Sequence, residues 1–127
     1  MAVDFEAGSG QRISYAVDPD WNDLTALSIS CWVNVESDAN INFLSKWSFS
    51  PDDKSFLLHY STGSNGWRVE WIDPSSASDS VVVSETAPQN AGWTHLATTW
   101  ATTTRNLYVN GAAGTADTTS RLSLIHI

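Results

Sequence analysis

The chain has 127 residues, 42% of them hydrophobic and only 16% charged, with 14 Asp and Glu against 6 Lys and Arg for a net charge of −8. That length fits one domain with a sizeable core. The acidic balance argues against nucleic acid, whose phosphates call for a basic surface, and against docking to anionic lipid. Serine and threonine, 18 and 12 residues, take the place of the missing charges and suit the exposed faces of strands. No apolar run approaches the roughly 18 residues of a membrane span. The opening MAVDFEAGSG has neither a basic nor an apolar stretch, so it does not read as a signal peptide. A secreted protein would then be represented here by a mature piece or a fragment. Cys31 is the single cysteine, which precludes an intrachain disulfide and leaves the redox compartment open. Seven tryptophans call for a thick core, a ligand-stacking face, or both.

Taken in order, the chain reads as short strands. Ala2–Glu6 is the first, turned by Gly8-Ser9-Gly10, and Arg12–Ala16 is the second. Asp18-Pro19-Asp20 opens a polar turn that runs to Asp23. Across 27–35, Leu27, Ile29, Cys31, Val33 and Val35 alternate with Ser28, Ser30, Trp32 and Asn34. That period of two marks a half-buried strand. It also puts Trp32 on the opposite surface of its sheet from the apolar set, a surface that loops can cover. Strands follow at Ile41–Trp47, Ser55–Tyr60 and Trp67–Ile72, separated by turn clusters at 50–53 and 61–66. Asp79–Glu85, Trp93–Trp100 and Asn106–Asn110 complete the set, with Asn110-Gly111 a hairpin turn. Nowhere do apolar residues hold a helical period over three turns. The expected fold class is all-β, an antiparallel β-sandwich or barrel.

Four segments in order resemble the laminin-G-like, concanavalin A-like jelly-roll family. Val3-Asp4-Phe5-Glu6-Ala7-Gly8 is similar to its Asp-Phe-x-Gly opening, with Ala7 intervening before the glycine. Leu27-Ser28-Ile29-Ser30-Cys31-Trp32-Val33-Asn34 is similar to its Phe-Thr-Ile-Ser-Ala-Trp-Val strand. Phe43-Leu44-Ser45-Lys46 is similar to Ile-Leu-Ser-Lys. Gly92-Trp93-Thr94-His95-Leu96-Ala97 is similar to Gly-x-Trp-x-His-Val-Ala, followed by Asn106-Leu107-Tyr108-Val109-Asn110-Gly111, like Leu-Tyr-Val-Asp-Gly. The resemblance implies a two-sheet antiparallel β-sandwich, a jelly roll, over residues 2–120, whose last strands, including a Gly-x-Ile-Asp-Glu segment, have no counterpart. The final Leu122–Ile127 is similar to the translated read-through of a sequencing adapter, so 121–127 is expected to be a tail of non-native sequence on a truncated metagenomic reading frame. The other reading of the tail is a genuine strand, with Leu122, Leu124 and His126 alternating.

Motifs that carry chemistry are absent: no phosphate loop, no zinc spacing and no nucleophile elbow. The resemblance gives His95 a structural part, in the core or at an interface. The same fold hosts β-glucanases, which use Glu-x-Asp-x-x-Glu. Retaining hydrolysis needs two carboxyl groups about 5 Å apart, hence on one strand face. Glu70 and Asp73 stand three apart, on opposite faces, so Glu70 is expected at a solvated strand edge and catalysis is not expected. Asp18-Pro19-Asp20-Trp21-Asn22 starts like a calcium loop, but Asp23 replaces the required glycine and Ile29 the required glutamate. Many relatives bind one calcium, which makes calcium the candidate cofactor and Asp4 a candidate contributor.

Trp67 and Trp71 flank Val69 on one strand face, about 13 Å apart, with Tyr60 across the turn. Tyr60, Trp67, Trp71 and neighbouring Asp73 are therefore the candidate ligand site, an aromatic platform for sugar rings. The competing reading makes Trp67, Val69 and Trp71 the inner face of the sandwich. The expected function is a non-catalytic module recognising carbohydrate or glycoprotein, working beside other domains of an extracellular, cell-surface or phage-tail protein. The alternative is a structural or protein-adhesion domain without a small ligand, and a glycoside hydrolase is a distant third.

Overall fold

The computed structural model describes residues 11–14, 26–36, 39–46, 56–63, 66–72, 78–84, 92–101 and 104–114. Eight strands occur among them: β1 (Ala26–Asn34), β2 (Ile41–Lys46), β3 (Phe56–Ser61), β4 (Gly66–Ile72), β5 (Ser78–Ser84), β6 (Trp93–Ala101), β7 (Thr104–Val109) and β8 (Ala112–Ala113). They form two antiparallel sheets, ordered β1-β6-β7-β8 and β2-β3-β4-β5. The second sheet is a meander. The first is closed by a long return, in which the chain leaves β1, builds the whole second sheet and comes back to lay β6 beside β1. The result is the two-sheet β-sandwich of a jelly roll.

Seven of the expected strands appear with their ends shifted by one or two residues. Arg12–Ala16 does not hold as a strand where it is described, since residues 11–14 are irregular. The first strand, Asp4, the 18–23 turn, Asp73 and the tail at 121–127 lie outside the described residues. The short β8 was not foreseen. It exists because Asn110 and Gly111 both take positive φ, 49° and 82°, the geometry of a tight primed hairpin turn. Asn110 tolerates the left-handed region, and its Oδ1 accepts the His95 N–H at 2.9 Å, tying the turn to β6.

Alternation decides which residues meet between the sheets. From the first sheet, Leu96, Trp100, Leu107 and Val109 point inward, and from the second, Phe56, Leu58, Tyr60, Trp67, Val69 and Trp71. The sheets touch through Trp71 and Trp100, whose ring centroids are 6.3 Å apart. Within the second sheet, Trp67 receives the edge of Tyr60 at 5.5 Å and the tilted ring of Phe43 at 5.6 Å. Inward Thr98 is bonded locally: its hydroxyl donates to the Asn106 carbonyl at 2.8 Å. Cys31 also faces inward, and burial pushes its thiol pKa up, so it stays protonated.

Trp67 is fully buried. Replacing it by alanine is expected to cost about 3–5 kcal/mol, through lost transfer free energy and the cavity left behind. Urea denaturation of Trp67→Ala measures this, and a loss under about 1 kcal/mol would contradict the packing described.

Candidate functional site

The sandwich places the expected platform indoors. Tyr60 and Trp67 are 0% exposed and Trp71 is 2% exposed. A ring that stacks on a sugar must offer one face to solvent, and these three offer their faces to each other and to Phe43, Phe56 and Trp100. The platform reading of Tyr60, Trp67 and Trp71 is therefore corrected to the core reading. The reason is visible in the pairing: Trp67 stands opposite Tyr60, Val69 opposite Leu58 and Trp71 opposite Phe56. All six point toward the first sheet.

The open aromatics lie on the other side of the molecule. On β1 the outward residues are Ala26, Ser28, Ser30, Trp32 and Asn34; on β6 they are Trp93, His95, Ala97, Thr99 and Ala101. Trp32 is paired with His95, and Asn34 with Trp93, so the two tryptophans stand on a diagonal of adjacent strands. Diagonal neighbours of this kind are about 7–8 Å apart, within reach of one another's long side chains. Trp32 is 63% exposed and Trp93 is 55% exposed. Among the described residues no loop covers Trp32. His95 faces outward too, half-buried, its ring centroid 5.0 Å from that of Trp32 and tilted by 45°. Its place is on this face rather than in the core. The half-buried Tyr108 of β7 pairs with Ala97 and extends the row. Asn106 Nδ2 donates to Thr99 Oγ1 at 3.2 Å farther along the same face.

Trp32 was legible as outward-facing from the β1 alternation. Trp93 was missed as a candidate, although a signal was present. Trp93 and Trp100 are seven residues apart on one strand, an odd number, so one must face in and the other out. Leu96 shares Trp100's parity, which assigns Trp93 to the outside.

The outer face of the second sheet carries a different group. Glu70 is not at an edge, since β4 is flanked by β3 and β5. Its side chain is 16% exposed, and its Oε1 is approached by His59 Nε2 at 3.1 Å and by Arg68 Nε at 3.2 Å. Both contacts are at ion-pair distance but off the hydrogen-bond axis. Burial, the larger effect, lowers the His59 pKa and outweighs the Glu70 carboxylate, which raises it; Arg68 lowers it further. His59 is thus neutral at pH 7. The residues directly across from Glu70 are Leu57 and Ser80, and neither supplies a second carboxyl group. Among the described residues, no three His, Cys, Asp or Glu side chains cluster as metal ligands. Asp73 and Asp4 lie outside those residues.

A histidine harder to protonate when folded stabilises the fold fully above its unfolded pKa of about 6.5. That stability falls away below this pH, as the unfolded chain takes up the proton first. Wild-type unfolding free energy should therefore rise with pH over about 5 to 7. His59→Gln should show a flatter rise when both are titrated with urea at stepped pH, and parallel curves would refute the assignment.

The chain matches the family model described as the concanavalin A-like lectin/glucanases superfamily, of laminin-G type, over residues 7–124. No match is found among curated proteins or among solved structures. Laminin-G-type domains are generally non-catalytic, typically extracellular, and commonly bind carbohydrates or proteins. Among the described residues no helix is long and apolar enough to cross a membrane. With its two antiparallel sheets and a match over nearly its whole length, the chain belongs to the concanavalin A-like lectin/glucanases superfamily.

Proposed function

We propose that the protein is a non-catalytic recognition module that binds carbohydrate or glycoprotein through the outer face of the β1-β6-β7 sheet. It would serve within a larger extracellular, cell-surface or phage-tail protein. The observation that carries this reading is the adjacent pair Trp32 and Trp93, both more than half exposed on a sheet that has ample core of its own. Large aromatic surfaces are costly to leave in water, and the C–H faces of sugar rings are suited to covering them. Polar side chains beside the rings, Ser30 and Asn34 on β1, are placed to reach sugar hydroxyls. Hydrolysis finds no support in the Glu70 arrangement, where one carboxylate is already engaged by a guanidinium and an imidazole. Calcium stays the candidate cofactor and Asp4 its candidate contributor.

A glycan array, read with and without calcium, tests the proposal. Binding is expected, and Trp93→Ala should weaken it about tenfold while leaving thermal melting unchanged, since the ring has no core to vacate. An empty array under both conditions would overturn the reading in favour of a structural or protein-adhesion domain. Turnover of a β-glucan that disappears in Glu70→Gln would overturn it in favour of a hydrolase.

A further inference from the structure

We propose that His95, held in place by Asn110, is a positioning residue of the outer face: its imidazole fixes the Trp32 indole in one orientation before a ligand arrives. The inference rests on the carbohydrate-binding reading above and deepens it.

An indole standing on a sheet turns about its side-chain bonds, and a ligand that stacks on it must first stop that motion. Trp32 is 63% exposed, so its neighbours on the sheet decide how far it turns. Directly across from it on β6 stands His95. The two ring centroids lie 5.0 Å apart with a tilt of 45°. That separation falls within the range of a favourable aromatic contact. The imidazole thus flanks the indole and leaves much of it to solvent. Among the described residues no ring stands in this way against Trp93. The two exposed tryptophans therefore differ in kind: Trp32 has an aromatic brace, and Trp93 is its internal control.

A brace works only if it is itself fixed. His95 is half-buried in a strand that is paired on both sides, by β1 and by β7. The regular β6-β7 register ends at Leu96 and Val109. At the next step His95 and Asn110 still exchange two hydrogen bonds, as a regular antiparallel pair does, but only one of them joins backbone to backbone. The Asn110 N–H donates to the His95 carbonyl at 2.8 Å. The His95 N–H donates to Asn110 Oδ1 at 2.9 Å, at a point where a φ of 49° has already turned the chain. Asparagine serves here twice, by tolerating the left-handed region and by supplying the acceptor. The hairpin turn thereby holds the backbone from which the brace projects. The line of action runs from Asn110 through His95 to Trp32.

The test reads motion and binding separately on the full chain. Labelling with 5-fluorotryptophan gives fluorine signals that Trp32→Phe, Trp67→Phe and Trp93→Phe assign. Fluorine relaxation should show Trp32 nearly as restrained as buried Trp67. His95→Ala should loosen Trp32 toward the tryptophans of the urea-unfolded chain while leaving Trp93 unchanged. His95→Phe should restore the restraint, and Asn110→Gly, which keeps the left-handed turn and removes the acceptor, should lie between. Binding is read as a concentration series on the arrayed glycans that retain the wild type. His95→Ala should weaken it about fivefold. In a Trp32→Ala background the same change should add nothing, because a positioning residue acts only through the ring it holds. Unchanged Trp32 mobility in His95→Ala would overturn the inference. So would equal weakening in both backgrounds, which would make His95 a direct ligand contact and leave the carbohydrate reading standing. A wild type that binds no arrayed glycan, with Trp32 restrained and then loosened as described, would overturn the carbohydrate reading and uphold the brace.

Discussion

The whole arrangement depends on the burial of Trp67, Trp71 and Trp100 between two sheets. Strand periodicity leaves no freedom here: once Trp71 faces inward, Trp67 and Val69 must follow, and once Trp100 faces inward, so must Leu96, Thr98 and Thr94. A one-residue slip in either sheet would exchange these sets for Arg68 and Glu70, or for Trp93 and His95. The register is therefore fixed by a large energetic difference, and the outer faces inherit their contents from it. The aromatic face exists because the core has claimed residues of the opposite parity.

The two outer faces are built on unlike principles. On the β3-β4 side, His59 and Arg68 converge on a single carboxylate oxygen of Glu70, and the three groups are largely screened from water. Their charges and dipoles are turned toward one another rather than toward solvent. On the β1-β6 side, aromatic rings stand in solvent among hydroxyl and amide groups. The first face is closed chemistry and the second open. This contrast supports the proposed placing of recognition on one side of a sandwich whose fold alone would not choose between them.

Much of the fold was legible in the residues. The alternation through Leu27–Val35 defined β1 almost to the residue, and Asn110-Gly111 identified its turn from the conformational tolerance of two side chains. The aromatic site was not legible in the same way. Trp67 and Trp71 share a strand face, but a strand has two faces, and sequence spacing cannot say which one a second sheet will cover. The β3-β4 pairing, which sets Tyr60 against Trp67 and Phe56 against Trp71, settles it. Glu70 was misjudged for a related reason. An edge and a centre look alike in sequence, because strand order is a property of long-range pairing. His59 gave no signal at all, since its partners Arg68 and Glu70 are nine and eleven residues away.

The division of the tryptophans has an optical consequence. Among the five tryptophans of the described residues, Trp67, Trp71 and Trp100 emit from a dry interior, while Trp32 and Trp93 emit from water. The two populations differ in wavelength and in their access to a dissolved quencher. A molecule that settles on the outer face dims or blue-shifts only the second population, and unfolding red-shifts only the first. Within these five, occupancy and integrity thus leave different marks on the emission, without a label.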